Sequence, residues 1–230
     1  MRLLAFETAT EACSVALSID GDVIERFEIA PRRHAELALP WAEQLLAEAG
    51  IAKSQLDAIA VGRGPGAFTG VRLAVALAQG IALALDLPVL PVSTLRALAV
   101  QGEGRILAAI DARMGEIYVA TFRREGDDAI ASSDEVVIVP ANCLLPGQDN
   151  DWIGVGTGFA AEAGALQSRL ADRFAHVDAA ALPHAAAVAR LAALDFAGSK
   201  AIAADLLEPA YLRNNVALTL QEQQALRASR

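Results

Sequence analysis

Residues 62–72 read GRGPGAFTGVR, which places Gly62, Gly64, Gly66 and Gly70 around one proline, between an apolar strand and a long apolar helix. Glycines in that setting permit positive φ and close backbone approach, and a strand-to-helix turn can present amides to an anion. A phosphate loop of the G-x-x-x-x-G-K-[ST] kind also needs a lysine to reach the phosphates, and none is present. A structural turn and an anion site both remain open, with Thr69 placed to cap the helix that follows. Gly154, Gly156 and Gly158 in WIGVGTGF again follow a strand and precede a helix, the position of a second nucleotide-contact turn. A G-x-G-x-G run alone does not establish one.

Other reactive groups are sparse. His34, His176 and His184 show neither HExxH nor HxxxH spacing, so the ordinary signature of a metal site is missing. No G-x-S-x-G elbow appears, and Ser14, Ser93 and Thr94 have no evident histidine and acid partners. Cys13 and Cys143 lack a metal-type spacing and read as two buried thiols in a reducing compartment.

The elements that must position these groups can be read from periodicity. RLLAFE, CSVALSI and DVIERFEI form a three-stranded meander, the last two joined by a tight turn at Asp20-Gly21-Asp22. Leu37, Trp41 and Leu45 at four-residue spacing predict a helix over 34–49, ended by Gly50 and irregular at Pro40. A strand at 57–61, the glycine loop, a helix from about 70 to 85 and a strand at 88–92 follow, an alternation typical of α/β architecture. Strands at 105–111, 116–123 and 135–139 form a second meander; a strand at 151–155 and Ala-rich helices near 159–172 and 183–198 complete the body. Glu7 and Val15-Ala16 in the first half are matched by Asp111 and Val119-Ala120 in the second. The sequence therefore predicts a duplicated α/β fold of two lobes joined near residue 100, residues 1–100 and 101–230. EPAYLR at 208–213 offers Tyr211 as an aromatic anchor, making the C-terminal segment a candidate to pack back on the first lobe.

The helix after the glycine loop is apolar on nearly every side, with Arg72, Gln79 and Asp86 as one narrow polar stripe. Such a helix must be covered almost all round, by its own lobe or by another protein. Together with the 34–49 helix it makes a candidate docking surface, the alternative being burial of both helices within the lobe. Arg72 in the first helical turn opposes the helix dipole and calls for an acid or anion as its partner.

The 230 residues are 54% hydrophobic and 20% charged, which suits a packed globular chain. A net charge of −9 works against an extensive direct grip on nucleic acid. MRLLAFETAT lacks the features of a signal peptide, and the apolar run between Arg72 and Asp86 falls short of the ~20 residues of a membrane span. A soluble cytoplasmic protein is expected.

In order along the chain, LLAFETATEACSVAL, RHAELALP, VGRGPGAFTGVR, DARMGEIY and PAYLR resemble the TsaB (YeaZ) family over essentially the whole length. The resemblance implies the actin-like ATPase, sugar kinase and Hsp70 type of fold (ASKHA). It also implies a non-catalytic scaffold or dimerisation subunit, required with the paralogue TsaD and the small ATPase TsaE for threonylcarbamoyl transfer to tRNA adenosine. ATP and metal are then expected on the partners and no cofactor on this chain alone, with tRNA reached only through the complex and homodimers as an alternative assembly. Leu37, Trp41, Leu45, Arg72, Val75, Leu77 and Gln79 are the implied partner interface. Glu7, Thr8, Asp111, Arg113, Gly154 and Gly156 are the implied cleft or nucleotide contacts. The chain departs from the pattern in three places. Ala38 stands where TsaD-like proteins carry the second histidine of a metal-binding HxxxH, Glu7 replaces the usual aspartate, and Ala67 replaces the common serine. The rival reading is an enzyme acting alone, an ATPase or a metalloprotease, for which ligands cannot be assembled from these residues.

Overall fold

RLLAFE and CSVALSI put Leu3, Ala5 and Ala16 on one side of the backbone and Leu4, Phe6, Val15 and Leu17 on the other, a pattern buried only in a sheet covered on both faces. The structure, a computed structural model describing residues 1–213, has that arrangement. The end of the C-terminal segment, 214–230, lies outside the described residues. Strands β1 (Arg2–Glu7), β2 (Ala12–Ile19) and β3 (Asp22–Ile29) form the expected antiparallel meander, turning through Asp20 and Gly21 at positive φ. Parallel strands β4 (Ala58–Gly62) and β5 (Val89–Val92) extend the sheet beyond β1, in the order β3-β2-β1-β4-β5.

Helices α1 (His34–Glu48) and α2 (Phe68–Leu85) cover the face carrying Leu4 and Phe6, using Ala38, Ala42, Leu45 and Leu46 from α1 and Ala74, Val75, Ala78 and Ala82 from α2. α2 begins earlier than its periodicity suggested. Its flanking residue is Ala67, no side chain caps it, and Thr69, the expected cap, sits inside the first turn. A serine at position 67 would return the missing acceptor. Ala67→Ser is expected to stabilise the chain by about 1 kcal/mol, seen as a higher urea midpoint at unchanged m.

The second half repeats the first. Strands β6 (Arg105–Arg113), β7 (Glu116–Glu125), β8 (Asp128–Ala131), β9 (Val136–Ile138), β10 (Trp152–Val155) and β11 (Phe174–Asp178) build a sheet ordered β8-β7-β6-β10-β11, with β9 paired to β7 off that path. Antiparallel and parallel pairings recur in the same places. One expectation fails here. No single helix spans 159–172, because Glu162 and Ala163 adopt left-handed conformations that break it into short turns and the five-residue α4 (Ala165–Arg169).

Two helices exchange sheets. α3 (Thr94–Ala99) follows the first sheet in sequence, yet its Leu95 and Leu98 pack on Ile106, Ile110 and Phe122 of the second. α5 (Ala185–Ala197) follows the second sheet but covers Leu3, Ala5 and Ala16 of the first through Ala185, Val188, Leu191 and Ala192. Polar contacts fix the crossing. Arg96 of α3 binds Asp128 of β8 at 2.7 Å and Asp195 of α5 at 2.6 Å, and Lys200 also pairs with Asp195. At the start of α5 the amide of Ala185 donates to Ser14 Oγ and that of Ala186 to Glu25 Oε1, while His184 pairs with Glu25 Oε2 and stacks on Phe27. Burial pushes the Glu25 carboxyl upward, but the hydrogen bonds from His184, Ser14 and Ala186 outweigh it and hold the group below the usual carboxylate range.

Candidate functional site

A cleft of about 990 Å³ opens between the lobes, with Thr10, His34 and the loop at 66–70 on one wall and Asp111, Arg113 and Thr157 on the other. The glycine loop reaches this wall by nesting on the turn after β1. A Cβ at Gly66 would lie 2.4 Å from the Ala9 carbonyl oxygen, and one at Gly70 would lie 2.0 Å from the Thr8 carbonyl oxygen. Ala67 N–H donates to that Ala9 oxygen, and Thr8 Oγ1 donates to the Gly70 carbonyl at 2.7 Å. Gly64 holds φ +94°. These contacts give the glycines a packing role, the first of the two readings open from the sequence, and they consume Thr8, which is fully buried.

Glu7 is likewise withdrawn from the cleft. It is 1% exposed, its Oε1 accepts from the Ala9 amide, its Oε2 accepts from Thr94 Oγ1, and only a glycine at position 62 leaves room for the carboxyl. Burial pushes its pKa up to about 7 against the lowering hydrogen bonds from Ala9 and Thr94. Gly154 and Gly156, expected at a nucleotide, are closed off by their own lobe. Phe159 stacks over the first, and the Ala109 carbonyl and Leu98 crowd the second.

Asp111 and Arg113 do face the cleft, but they satisfy each other. Asp111 Oδ1 accepts from the Arg113 amide at 2.7 Å and Oδ2 from its guanidinium at 2.8 Å, while the Asp111 amide donates to Thr157 Oγ1. His34 Nε2 lies 3.0 Å from the Thr10 carbonyl oxygen, and Ala38 is fully buried in the core. Among the described residues no three His, Cys, Asp or Glu side chains gather as metal ligands do. A magnesium nucleotide held through Glu7, Thr8, Gly154 and Gly156 does not fit these positions, so no chemistry is derived through one. Burial drives the Cys13 thiol up to about 12, helped by Glu28, and the Cys143 thiol up to about 11 against the opposing charge of Arg169. Neither offers a thiolate.

Residues 202–213 run along α2 and close one end of the cleft. Ile202 bridges to Val89, Gln79 donates to the carbonyls of Ala204 and Leu207, and Ala210 N–H donates to Arg63 O. Among the described residues Arg72 meets no acid. Its guanidinium lies 3.6 Å from the Phe68 ring centre and donates to Tyr211 Oη at 2.7 Å. Two residues on, Arg213 donates to the Ala112 carbonyl and pairs with Glu116 in the other lobe. The PAYLR segment therefore straps the two lobes together across the cleft, a role for Arg213 that only a cation next to the Tyr211 anchor hinted at in sequence.

The expected docking residues divide. Leu45 and Val75 are buried in this chain's own core and cannot meet a partner, while Leu37, Trp41 and Leu77 are half-buried against it. Gln79 and Arg72 are engaged by the C-terminal segment. The face of α2 left uncovered among the described residues is Ala76, Gly80 and Leu83, the last 66% exposed, with half-buried Leu73 at its edge. α2 has a mean hydropathy of 1.7, which by length and composition alone would suffice to cross a membrane. Its other face is built into the sheet.

Comparison with known proteins adds an independent line. A family model described as tRNA N6-adenosine threonylcarbamoyltransferase (TsaD) matches residues 27–220. The tRNA threonylcarbamoyladenosine biosynthesis protein TsaB of Escherichia coli is 42% identical over 94% of this chain and 96% of its own length. Its Haemophilus influenzae namesake is 38% identical over 94% and 95%. The solved structure of YeaZ from Pseudomonas aeruginosa superposes with a TM-score of 0.83 at 42% identity, covering 92% of this chain and 99% of that one. The duplicated ASKHA-type fold expected from the sequence agrees with these matches.

Proposed function

Since the chain belongs to the TsaB (YeaZ) family of tRNA threonylcarbamoyladenosine biosynthesis proteins, we propose that it serves that pathway as a non-catalytic docking subunit in the cytoplasm. Its partner is TsaD, the paralogue that carries the transfer chemistry with its metal, joined by the ATPase TsaE, and tRNA is reached through them. The observation that carries this reading is the α2 stripe of exposed Ala76, Gly80 and Leu83, edged by half-buried Leu73. Apolar, and with small residues at its centre, it admits close approach by a partner helix, and it is the wrong surface for a chain to leave in water. The withdrawn Glu7 and the internally paired Asp111 agree with a subunit that does no chemistry of its own. A net charge of −9 favours contact with tRNA through partners.

The test is co-purification with TsaD. Ala76→Glu combined with Gly80→Glu places two carboxylates on the stripe, where neither meets this chain's own core. Complex formation is expected to weaken at least ~100-fold, since burying charge against an apolar partner costs several kcal/mol, while the thermal melt of the free protein stays near the parent's. A complex that survives with the fold intact places the docking face elsewhere. A homodimer through the same stripe is an alternative assembly, and the same variant would then run as a monomer on size exclusion. Depleting the protein is expected to lower threonylcarbamoyladenosine in tRNA hydrolysates measured by mass spectrometry. Unchanged levels, or clear ATP turnover by the isolated chain, would favour the enzyme reading.

A further inference from the structure

The C-terminal end of α2 opens into a second groove of about 470 Å³, floored by Leu87, Pro88, Ala201 and Ile202 and rimmed by Asp86 and Asp205. Two features of its rim run against the local preferences of the chain. Asp86 occupies the left-handed position that ends α2, φ 54° and ψ 46°, where glycine or asparagine is the relaxed choice. Its carboxylate also sits at the negative end of the helix dipole, where a cation is favoured and an anion is not. Asp205 adds a second carboxylate to the same groove, and Glu208 lies three residues beyond it. Among the described residues no Lys or Arg pairs with Asp86 or Asp205, so both carboxylates are open to a cation from outside. Leu83 and Leu206, 66% and 64% exposed, are an apolar residue from each of the two segments that form the groove. Negative charge, a helix C-terminus and exposed Leu83 thus converge on one small depression, with Leu206 next in the chain to its rim residue Asp205.

We propose that this groove is a docking site for an arginine-bearing apolar segment of a partner protein, the guanidinium seated between Asp86 and Asp205 and flanking aliphatic side chains on Leu83 and Leu206. The guanidinium suits two carboxylates beside helix carbonyls because it donates in several directions at once. The site borders the central α2 stripe at Leu83, but the charge that defines it comes from Asp86 and Asp205, which are not part of that stripe, so it holds whether or not the stripe binds TsaD.

The test titrates a fluorescein-labelled peptide, LARRLLARRL, into the full chain and follows anisotropy. Asp86→Asn combined with Asp205→Asn is expected to weaken binding about tenfold, in line with two exposed ion pairs of ordinary strength. Asp127→Asn combined with Asp134→Asn removes the same charge from exposed positions elsewhere and is expected to leave binding within twofold. Asp86→Asn alone should melt no lower than the parent, because asparagine suits the left-handed position and relieves the dipole conflict, so loss of binding is not loss of fold. Equal weakening by both double variants would mean unspecific attraction to an acidic protein and would overturn the proposal. So would a several-fold gain in peptide binding on deleting residues 214–230, which would assign the groove to Arg227 or Arg230 of this chain.

Discussion

Gly70→Ala should melt roughly 6–12 °C below the parent chain, the largest effect expected from a single methyl group in this protein. The added Cβ would stand 2.0 Å from the Thr8 carbonyl oxygen, and a backbone atom in the buried turn after β1 cannot swing aside as a side chain can. Relief requires the start of α2 to lift from the β1 turn. That movement breaks the 2.7 Å bond from Thr8 Oγ1 to the Gly70 carbonyl and loosens Val71 in the core. Overpacking of this severity destabilises by about 3 kcal/mol, and for a chain of this size each kcal/mol moves Tm by roughly 2–4 °C. Gly80→Ala, ten residues along the same helix, is the control. Its Cβ meets nothing within 4 Å, and alanine in a helix interior is expected to stabilise by about 0.5–1 kcal/mol. Opposite signs from the same substitution would establish that the loop glycine serves packing. A Gly70→Ala chain that melts with the parent would reopen the anion-site reading.

Glu7→Gln should abolish a fall in stability between pH 4.5 and 7. The folded chain holds the Glu7 proton to about pH 7, whereas the unfolded chain releases it near 4.5. Over that window the native state binds more protons, so stability is greatest below 4.5, declines as pH rises through about 7, and is level above. A shift of this size corresponds to about 3 kcal/mol at alkaline pH. Glutamine keeps an acceptor for the Ala9 amide and carries no charge to bury. Urea midpoints for the variant and parent should nearly coincide at pH 4.5 and separate by pH 8 with the variant higher. Coincidence at both values would mean that Glu7 ionises without penalty and reaches solvent. The same reasoning explains why the carboxyl is a poor candidate for cleft chemistry, since a group sealed behind Gly62 and Thr94 has no path to a substrate.

Most of the first lobe was legible because its strands alternate or run continuously apolar and α1 repeats leucine and tryptophan at four-residue spacing, and the duplication showed in the match of Glu7 and Val15-Ala16 with Asp111 and Val119-Ala120. The errors have specific physical origins. Alanine favours helix over 159–172, but the close packing of Gly154, Gly156 and Gly158 on Phe159 and Ala109 consumes the chain needed to start one there. β8 and β11 are short and only partly buried, so they carry little alternation. On α2 the helix was legible and the side it leaves exposed was not. A helix apolar on nearly all sides gives no angular preference, and the difference between buried Val75 and exposed Ala76 is one step of 100° that only the sheet beneath decides. Arg72 illustrates the same limit. Its need for a partner could be read from the helix dipole, but an aromatic pair brought from position 211 could not.

The exchange of α3 and α5 between the sheets has a consequence for how this protein comes into being. When residue 100 has left the ribosome, the first sheet is fully synthesised, yet the face formed by Leu3, Ala5, Ala16, Ala58, Ala60, Leu90 and Val92 has no cover, because α5 is still about 90 residues away. α3 is by then waiting with Leu95 and Leu98 for strands that have not been made. Neither half can finish alone, so the nascent chain carries an open apolar sheet while about 90 further residues are made and closes both lobes together when α5 arrives. A chain interrupted before residue 185 leaves a naked sheet, the kind of surface that chaperones and proteases are built to find.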